Sequence, residues 1–367
     1  MRIGILTFHF AINYGAVIQA WALKESLNRL GHETFVIDYN PKRRRLPWYI
    51  YAVRKSLFDA RLEFLFHKFV KKNLPLAPDS TLRINGRKEK DGWDAIVVGS
   101  DQVWNRKYFT EKDGGHNRHY FLDGICDDAV KIAYAASIGD GEWGRFKDAE
   151  KMVAAIKRFD GIGVRERVAQ DELRKFGVDS TVVADPTLLM DKSGYECFTC
   201  NRGESPTLTD YVFGYSLSEP ETCAEVLVRC SNALNATPRF CSIYGEFADK
   251  CRTLYPALEN DVVAPSPDEW VRMVSEATFI VTDSFHGTMM ALLFHRPFCV
   301  VLKPDRDRMN ARITEILDVC GLSDRIVRTG TDVEAIAAAP IAWNAVDLHV
   351  SGCLLYTSPS PRDQRGS

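Results

Sequence analysis

No run of about 18 apolar residues occurs in the 367-residue chain, so nothing in it reads as a membrane-spanning helix. The nearest candidate, Gly287–Leu302, is cut by His295, Arg296 and Pro297. Charge of one sign is missing as well. Lys and Arg number 47 against 49 Asp and Glu, and a formal charge of −2 provides no general field for gripping nucleic acid, which is not an expected partner. No secretory leader is expected from Met1–Leu6, which has the right start, because His9, Asn13 and Gln19 interrupt it and helical periodicity then continues to Leu30. The ten scattered cysteines are therefore expected as reduced thiols in a cytoplasmic protein. Cys197-Phe198-Thr199-Cys200 is a lone CxxC with no second ligand pair at finger spacing, so no metal is expected. GxGxxG is absent too. The first strand-to-helix turn carries only Gly15, which argues against a dinucleotide, and no cofactor is expected. The absence of any 20–50-residue internal period excludes solenoids and propellers.

What the chain does contain is a globular composition, 46% hydrophobic and 26% charged, at a length that suits two domains. Its grammar is strand, polar or glycine turn, helix. Arg2–Phe8 reads as a strand, Ala16–Leu30 as a helix through Val17, Ala20, Leu23, Leu27 and Leu30, and Thr34–Tyr39 as a strand. Strands follow at Asp94–Gly99, Lys131–Ser137, Gly161–Arg165 and Thr181–Ala184, with helices at Glu142–Arg158 and Arg167–Phe176. A second series places strands at Tyr211–Leu217, Arg239–Tyr244, Thr278–Thr282 and Phe298–Leu302. Helices are predicted there at Glu219–Leu234, Pro267–Ala277, Gly287–Arg296 and Arg308–Cys320. The fold class is α/β, with two doubly wound, mostly parallel domains facing a ligand cleft at the carboxyl ends of their strands.

The expected division is residues 1–190, a linker at 191–210 containing Gly194, Gly203 and Pro206, and residues 211–352. A basic and aromatic insert at about 42–74 opens with Lys42-Arg43-Arg44-Arg45. It reads either as a peripheral membrane contact, on the inner face, or as a solvated loop leading to a packing helix. Residues 353–367 are expected to be non-native, because Cys353–Asp363 match the translation of a common transposase sequencing adapter; the second domain would then be truncated.

Five segments end a strand with chemistry-bearing residues. Thr282–Thr288 joins an apolar strand to an apolar helix, where free N–H groups and the helix dipole favour an anion. Ser284, Gly287 and Thr288 would cradle it beside His286, or Ser284 and Thr288 would merely cap the helix. An imidazole there changes charge near neutral pH. Arg165 closes Gly161–Val164 and can fork onto a carboxylate or phosphate, or pair with Glu166 or Asp185. Asn13 and Gly15 open the first helix as a cap or as part of a ligand loop. Gly99–Asn105 groups Asp101, Gln102, Trp104 and Asn105, a set suited to reading sugar hydroxyls and stacking on a ring, although turn chemistry also explains it. Asp185-Pro186-Thr187 reads as turn punctuation, with Asp185 a structural support.

Taken in order, Asn-Tyr-Gly-Ala-Val-Ile-Gln-Ala from 13, Gly-Ser-Asp-Gln-Val-Trp-Asn from 99, Val-Arg-Glu from 164, Asp-Pro-Thr from 185 and Ser-Phe-His-Gly-Thr from 284 resemble the polysaccharide pyruvyl transferase family over roughly residues 1–320. The resemblance implies two Rossmann-like domains similar to B-type glycosyltransferases. It also implies phosphoenolpyruvate as donor, with no further cofactor, and a sugar diol of a saccharide or lipid-linked glycan as acceptor. It places Arg165 and His286 on the family's donor-site arginine and histidine, as catalytic candidates. Asn13, Gly15, Ser284, Gly287 and Thr288 become donor-binding candidates; Asp101, Gln102, Trp104 and Asn105 become acceptor-binding candidates. The alternatives on the same architecture are a sugar-nucleotide glycosyltransferase and a non-catalytic glycan-binding protein. Sequencing the source gene past codon 352 is expected to show a different natural reading frame there; the same eleven residues in a continuous frame would refute the adapter reading.

Overall fold

A computed structural model of the chain describes residues 1–40, 56–78, 92–105, 118–122, 129–139, 142–143, 149–200 and 210–348. Lys42–Arg45, most of the Gly203 and Pro206 stretch of the expected linker, and the adapter-like tail lie outside the described residues. Seven strands form the first sheet: β1 (Arg2–Leu6), β2 (Glu33–Asp38), β3 (Leu76–Pro78), β4 (Ala95–Val98), β5 (Val130–Ala136), β6 (Gly161–Val164) and β7 (Thr181–Val182). Six form the second: β8 (Tyr211–Ser216), β9 (Thr237–Ser242), β10 (Val262–Val263), β11 (Phe279–Thr282), β12 (Phe298–Val301) and β13 (Ile326–Val327). The orders are β3-β2-β1-β4-β5-β6-β7 and β10-β9-β8-β11-β12-β13, with every pairing parallel. Three strands went unpredicted, β3, β10 and β13. Each is a sheet edge of two or three residues, too short to show a period of two.

Helices α1 (Tyr14–Arg29), α2 (Leu57–Asn73), α3 (Ala149–Ile156), α4 (Arg167–Arg174) and α5 (Glu196–Thr199) accompany the first sheet. With the second come α6 (Pro220–Leu234), α7 (Gly245–Leu254), α8 (Pro267–Glu276), α9 (Phe285–Phe294), α10 (Asp307–Val319) and α11 (Val333–Ala338). The described part of the basic insert is α2, which buries Leu62, Phe66 and Phe69 and so is a packing helix. Ser56 caps it by accepting from the Asp59 N–H.

Both sheets are buried on both faces, and their alternation sorts residues into separate cores. In β4, Ala95 and Val97 point one way and Ile96 and Val98 the other. In β8, Tyr211, Phe213 and Tyr215 oppose Val212. The first-named faces of the two sheets open into one continuous core that also takes in α1, α2, α8 and α9. Its centre is Tyr14, which stacks on Trp270 (5.3 Å between centroids, 6° between planes), touches Phe66 and Tyr215, and donates to the Pro265 carbonyl at 2.8 Å. The two lobes therefore share apolar packing across the line where the cleft between them begins. Trp270 is fully buried there, so Trp270→Ala is expected to cost about 3–5 kcal/mol. Denaturant unfolding followed by a probe in each sheet should show both lobes losing stability together, whereas loss confined to the second lobe would contradict a shared core.

Candidate active site

Each sheet reverses its winding direction beside its first strand, between β1 and β4 and between β8 and β11, and such switch points are where open α/β sheets bind ligands. Side chains tie both switches together. In the first, the Thr7 hydroxyl donates to the Ser100 carbonyl at 2.8 Å and receives the Gln19 amide at 2.9 Å. In the second, the Thr282 hydroxyl donates to the Tyr215 carbonyl at 2.7 Å. Asp283 there accepts from the backbone N–H groups of Leu217, Ser218 and Glu219 and from the hydroxyls of Ser216 and Ser218.

Arg165 and His286 come from opposite lobes and meet on one oxygen. Arg165 Nη1 lies 3.3 Å and His286 Nε2 3.5 Å from Asp185 Oδ2. The Ser100 hydroxyl donates to that oxygen at 2.8 Å, while Asp185 Oδ1 accepts from the N–H and hydroxyl of Thr187. The strand-end segment Asp185-Pro186-Thr187 is thus the junction between the lobes, a larger part than turn punctuation. The three charged side chains are 1%, 0% and 7% exposed, so water screens their interactions very little. Burial raises the Asp185 pKa, but the His286 ring and the Arg165 guanidinium more than offset it and hold the carboxyl well below the usual range.

Arg165 also faces the carboxylates of Glu166 at 3.6 Å and Asp101 at 3.9 Å. Burial works against its charge, and the carboxylates of Glu166, Asp185 and Asp101 outweigh that effect and raise its pKa. Even so, Arg165 Nε and Nη2 and His286 Nε2 have no hydrogen-bond partner. Each faces a carboxylate at 3.5–3.9 Å, too far for a good hydrogen bond, so three buried polar atoms in one place keep unused hydrogen-bonding capacity. The Phe285 ring lies against the guanidinium, with Arg165 Cζ 4.6 Å from its centroid.

The other expected donor residues surround this junction in supporting parts. Gly15, in the first turn of α1, touches the His286 ring so closely that a methyl group there would overlap it. Asn13 is the α1 cap and accepts from the Ala16 N–H at 3.2 Å. Ser284 caps α9 by accepting from the Gly287 N–H at 3.3 Å, and the Thr288 N–H and hydroxyl both donate to the Ser284 carbonyl. The cradle predicted from Ser284, Gly287 and Thr288 is corrected accordingly: those groups satisfy one another, and a Cβ on Gly287 would meet Thr282. The first-turn amides of Phe285 and His286 are not used by this cap.

The expected sugar-reading segment is corrected further. Trp104 is fully buried, donates its indole N–H to the Tyr120 carbonyl and packs on Phe121, Trp143 and Phe159, so it offers no face to a sugar. Asn105 is buried and donates to Gln102 at 2.5 Å, so these two amides mainly satisfy each other. Asp101 alone of this set faces the junction. Its left-handed backbone, φ 76°, turns the chain there and brings its carboxylate toward Arg165. Cys197 and Cys200 are exposed thiols, and no cluster of three metal-ligating side chains occurs among the described residues. Nor is any described helix long and apolar enough to cross a membrane.

Comparison with solved structures agrees with this architecture. A protein from Listeria monocytogenes assigned as a UDP-N-acetylglucosamine 2-epimerase is similar at a TM-score of 0.51 and 10% identity, covering 98% of this chain and 92% of that one. MurG of Acinetobacter baumannii aligns at a TM-score of 0.45 and 11% identity over 99% and 97% of the chains. The E. coli heptosyltransferase WaaC aligns at 0.39 and 13% over 87% and 99%. The fold is thus that of the B-type glycosyltransferases. No curated protein sequence matches the chain. A family model for polysaccharide pyruvyl transferase matches residues 13–302, a span that contains the whole Arg165–Asp185–His286 junction. With that span covering most of its length, the chain belongs to the polysaccharide pyruvyl transferase family and is a transferase.

Proposed function

We propose that the protein moves the pyruvyl group of phosphoenolpyruvate onto two hydroxyls of a saccharide in a cell-surface or exopolysaccharide precursor, forming a cyclic ketal and releasing phosphate. The observation that carries this reading is the meeting of Arg165 and His286, drawn from the two lobes to one buried carboxylate. In the reaction the donor's methylene carbon gains one proton and its central carbon becomes electrophilic. Two C–O bonds then form to the sugar, the C–O bond to phosphate breaks, and the two hydroxyls give up two protons, one leaving with the phosphate.

Both ends of that sequence need a proton moved at a defined point, and the His286 imidazole, at the junction of the lobes, is the group that takes this role in the proposal. Asp185, kept ionised, orients the ring from 3.5 Å. Arg165 Nε and Nη2 form a fork suited to a carboxylate such as that of the donor. Asp101, partly exposed on the same rim, is the member of its segment left to accept from a sugar hydroxyl. A saccharide acceptor is consistent with the family.

Purified protein given phosphoenolpyruvate and candidate glycans should release phosphate together with a new ketal, and stabilisation by phosphoenolpyruvate rather than by a nucleoside diphosphate should appear in thermal shift. His286→Ala is expected to lower turnover about 10²–10⁴-fold without unfolding the chain, with Arg165→Ala comparably impaired. Near-wild-type rates in both would defeat these roles. Gly15→Ala should impair turnover by displacing the imidazole, with α1 retained by circular dichroism.

Asp185 also predicts an acid limit. Its folded pKa lies below the unfolded value of about 3.9, so it stabilises the native state above that pH and the contribution fades as pH falls through and below it. Asp185→Asn, less stable at pH 7, should lose less further stability between about pH 4 and pH 2 than wild type does. Parallel losses in the two proteins would contradict the depressed pKa.

A further inference from the structure

Beside the junction stands one more buried donor without a partner. Tyr134 lies on β5, two residues before the end of that strand, and its hydroxyl is buried with no hydrogen-bond partner among the described residues. A phenol enclosed by protein usually finds an acceptor, because an unpaired one has given up its hydration for nothing.

Sheet order puts the strand of this hydroxyl under the junction. Ser100 follows β4 and Asp185 follows β7, and β5 and β6 lie between those two strands. The 2.8 Å hydrogen bond from the Ser100 hydroxyl to Asp185 therefore crosses the carboxyl ends of β5 and β6. Tyr134 packs against the core shared by the two lobes, the side from which Phe285 and His286 approach. On this face the neighbouring β6 offers Gly161 and Gly163, which bring no side chain over the ring, and then Arg165 just past its end.

The backbone is distorted at the same point. Tyr134 and Ala135 together oppose the single residue Gly163, a bulge between the pairs Ala133–Ile162 and Ala136–Val164. Ala135 is fully buried and left-handed there, φ 53°, a conformation that a residue with a Cβ rarely adopts. Beyond the bulge the Ala136 carbonyl accepts the Arg165 N–H at 3.2 Å. One irregularity thus seats Arg165 and sets the phenol on the adjacent strand, as bulges beside active sites commonly re-aim a side chain. Burial raises the Tyr134 pKa and the Asp185 carboxylate raises it further, so the hydroxyl keeps its proton and serves as a hydrogen-bond donor, not as a base.

We infer that Tyr134 is a further donor-binding residue, its hydroxyl donating a hydrogen bond to the carboxylate of phosphoenolpyruvate while Arg165 forks onto the same group. This deepens the reading under Proposed function and rests on it. Three carboxylates already surround the Arg165 guanidinium, so a ligand carboxylate set there is helped by a further donor that is itself uncharged.

Tyr134→Phe removes the hydroxyl alone, and calorimetric titration of the full chain with phosphoenolpyruvate and, separately, with pyruvate reads the effect without turnover. Both ligands carry the carboxylate, so the variant should bind each about tenfold or more weakly, and KM for phosphoenolpyruvate should rise by a similar factor. Its thermal midpoint should match or exceed that of wild type, because no hydrogen bond within the folded chain is lost. The inference is overturned if the variant binds both ligands as tightly as wild type, or if wild type binds neither. It is equally overturned if the variant melts earlier, which would give the hydroxyl a structural role. Weakened binding in Tyr134→Phe, with no ketal made from any glycan by wild type, would sink the transferase reading and leave the contact standing. Ketal formation by Tyr134→Phe at the wild-type KM would do the reverse.

Discussion

One buried carboxylate organises the molecule's chemistry. Asp185 is wholly enclosed, and an isolated charge in that position would be costly; it is sustained by Arg165 from its own lobe, by His286 from the other, and by Ser100 and Thr187. Removing any charged partner leaves the rest badly compensated, so the three are held to their positions by mutual need. That constraint passes outward. Arg165 is kept against Phe285, His286 is kept against Gly15, and the first turns of α1 and α9 are kept facing each other.

Apolar packing supports the same arrangement from beneath. Tyr14 opens α1 and buries its ring against Trp270 and Tyr215, so the helix whose first turn touches His286 is anchored in the second lobe's core by the residue next to Gly15. Two lobes that meet only through a hinge would leave the Arg165–His286 separation free to vary. A continuous core that contains Tyr14, Trp270, Phe285 and Leu188 ties it to the positions of α1, α9 and the Asp185 segment. The positioning of Arg165 and His286 and the stability of the fold therefore draw on the same contacts.

Much of this was legible in the residues and some was not, for identifiable reasons. Long runs such as Ala16–Leu30 and Phe279–Val281 carry their period openly, and strands that stop at polar, glycine-flanked turns put Arg165 and His286 just past the carboxyl ends of β6 and β11. Asp185 was underread because Asp-Pro after a strand is also ordinary turn chemistry; only tertiary contact distinguishes the two. Trp104 was overread because a tryptophan beside polar residues looks the same whether its ring faces a sugar or, as here, Phe121 and Trp143. The linker was underread in the same way: Tyr195 and Phe198 in the stretch that began it pack on Trp21. The contacts that α10 makes across to the first lobe, Arg308 with Glu142 and Glu315 with the Arg167 N–H, gave no local signal, since helical spacing reveals them only once their partners are known.

The two lobes also differ in how they handle charge, and that difference bears on how a reaction could proceed at their junction. The first lobe places acidic groups around Arg165, which fixes a guanidinium in a dry setting at the cost of its net field. The second lobe holds Lys303 on a loop braced by Asn310, which accepts from the Lys303 N–H and donates to its carbonyl, with no ion pair to Lys303 among the described residues. The junction thus lies between a lobe that neutralises Arg165 with its own carboxylates and a lobe that brings the imidazole, and Asp185 sets the distance between the two.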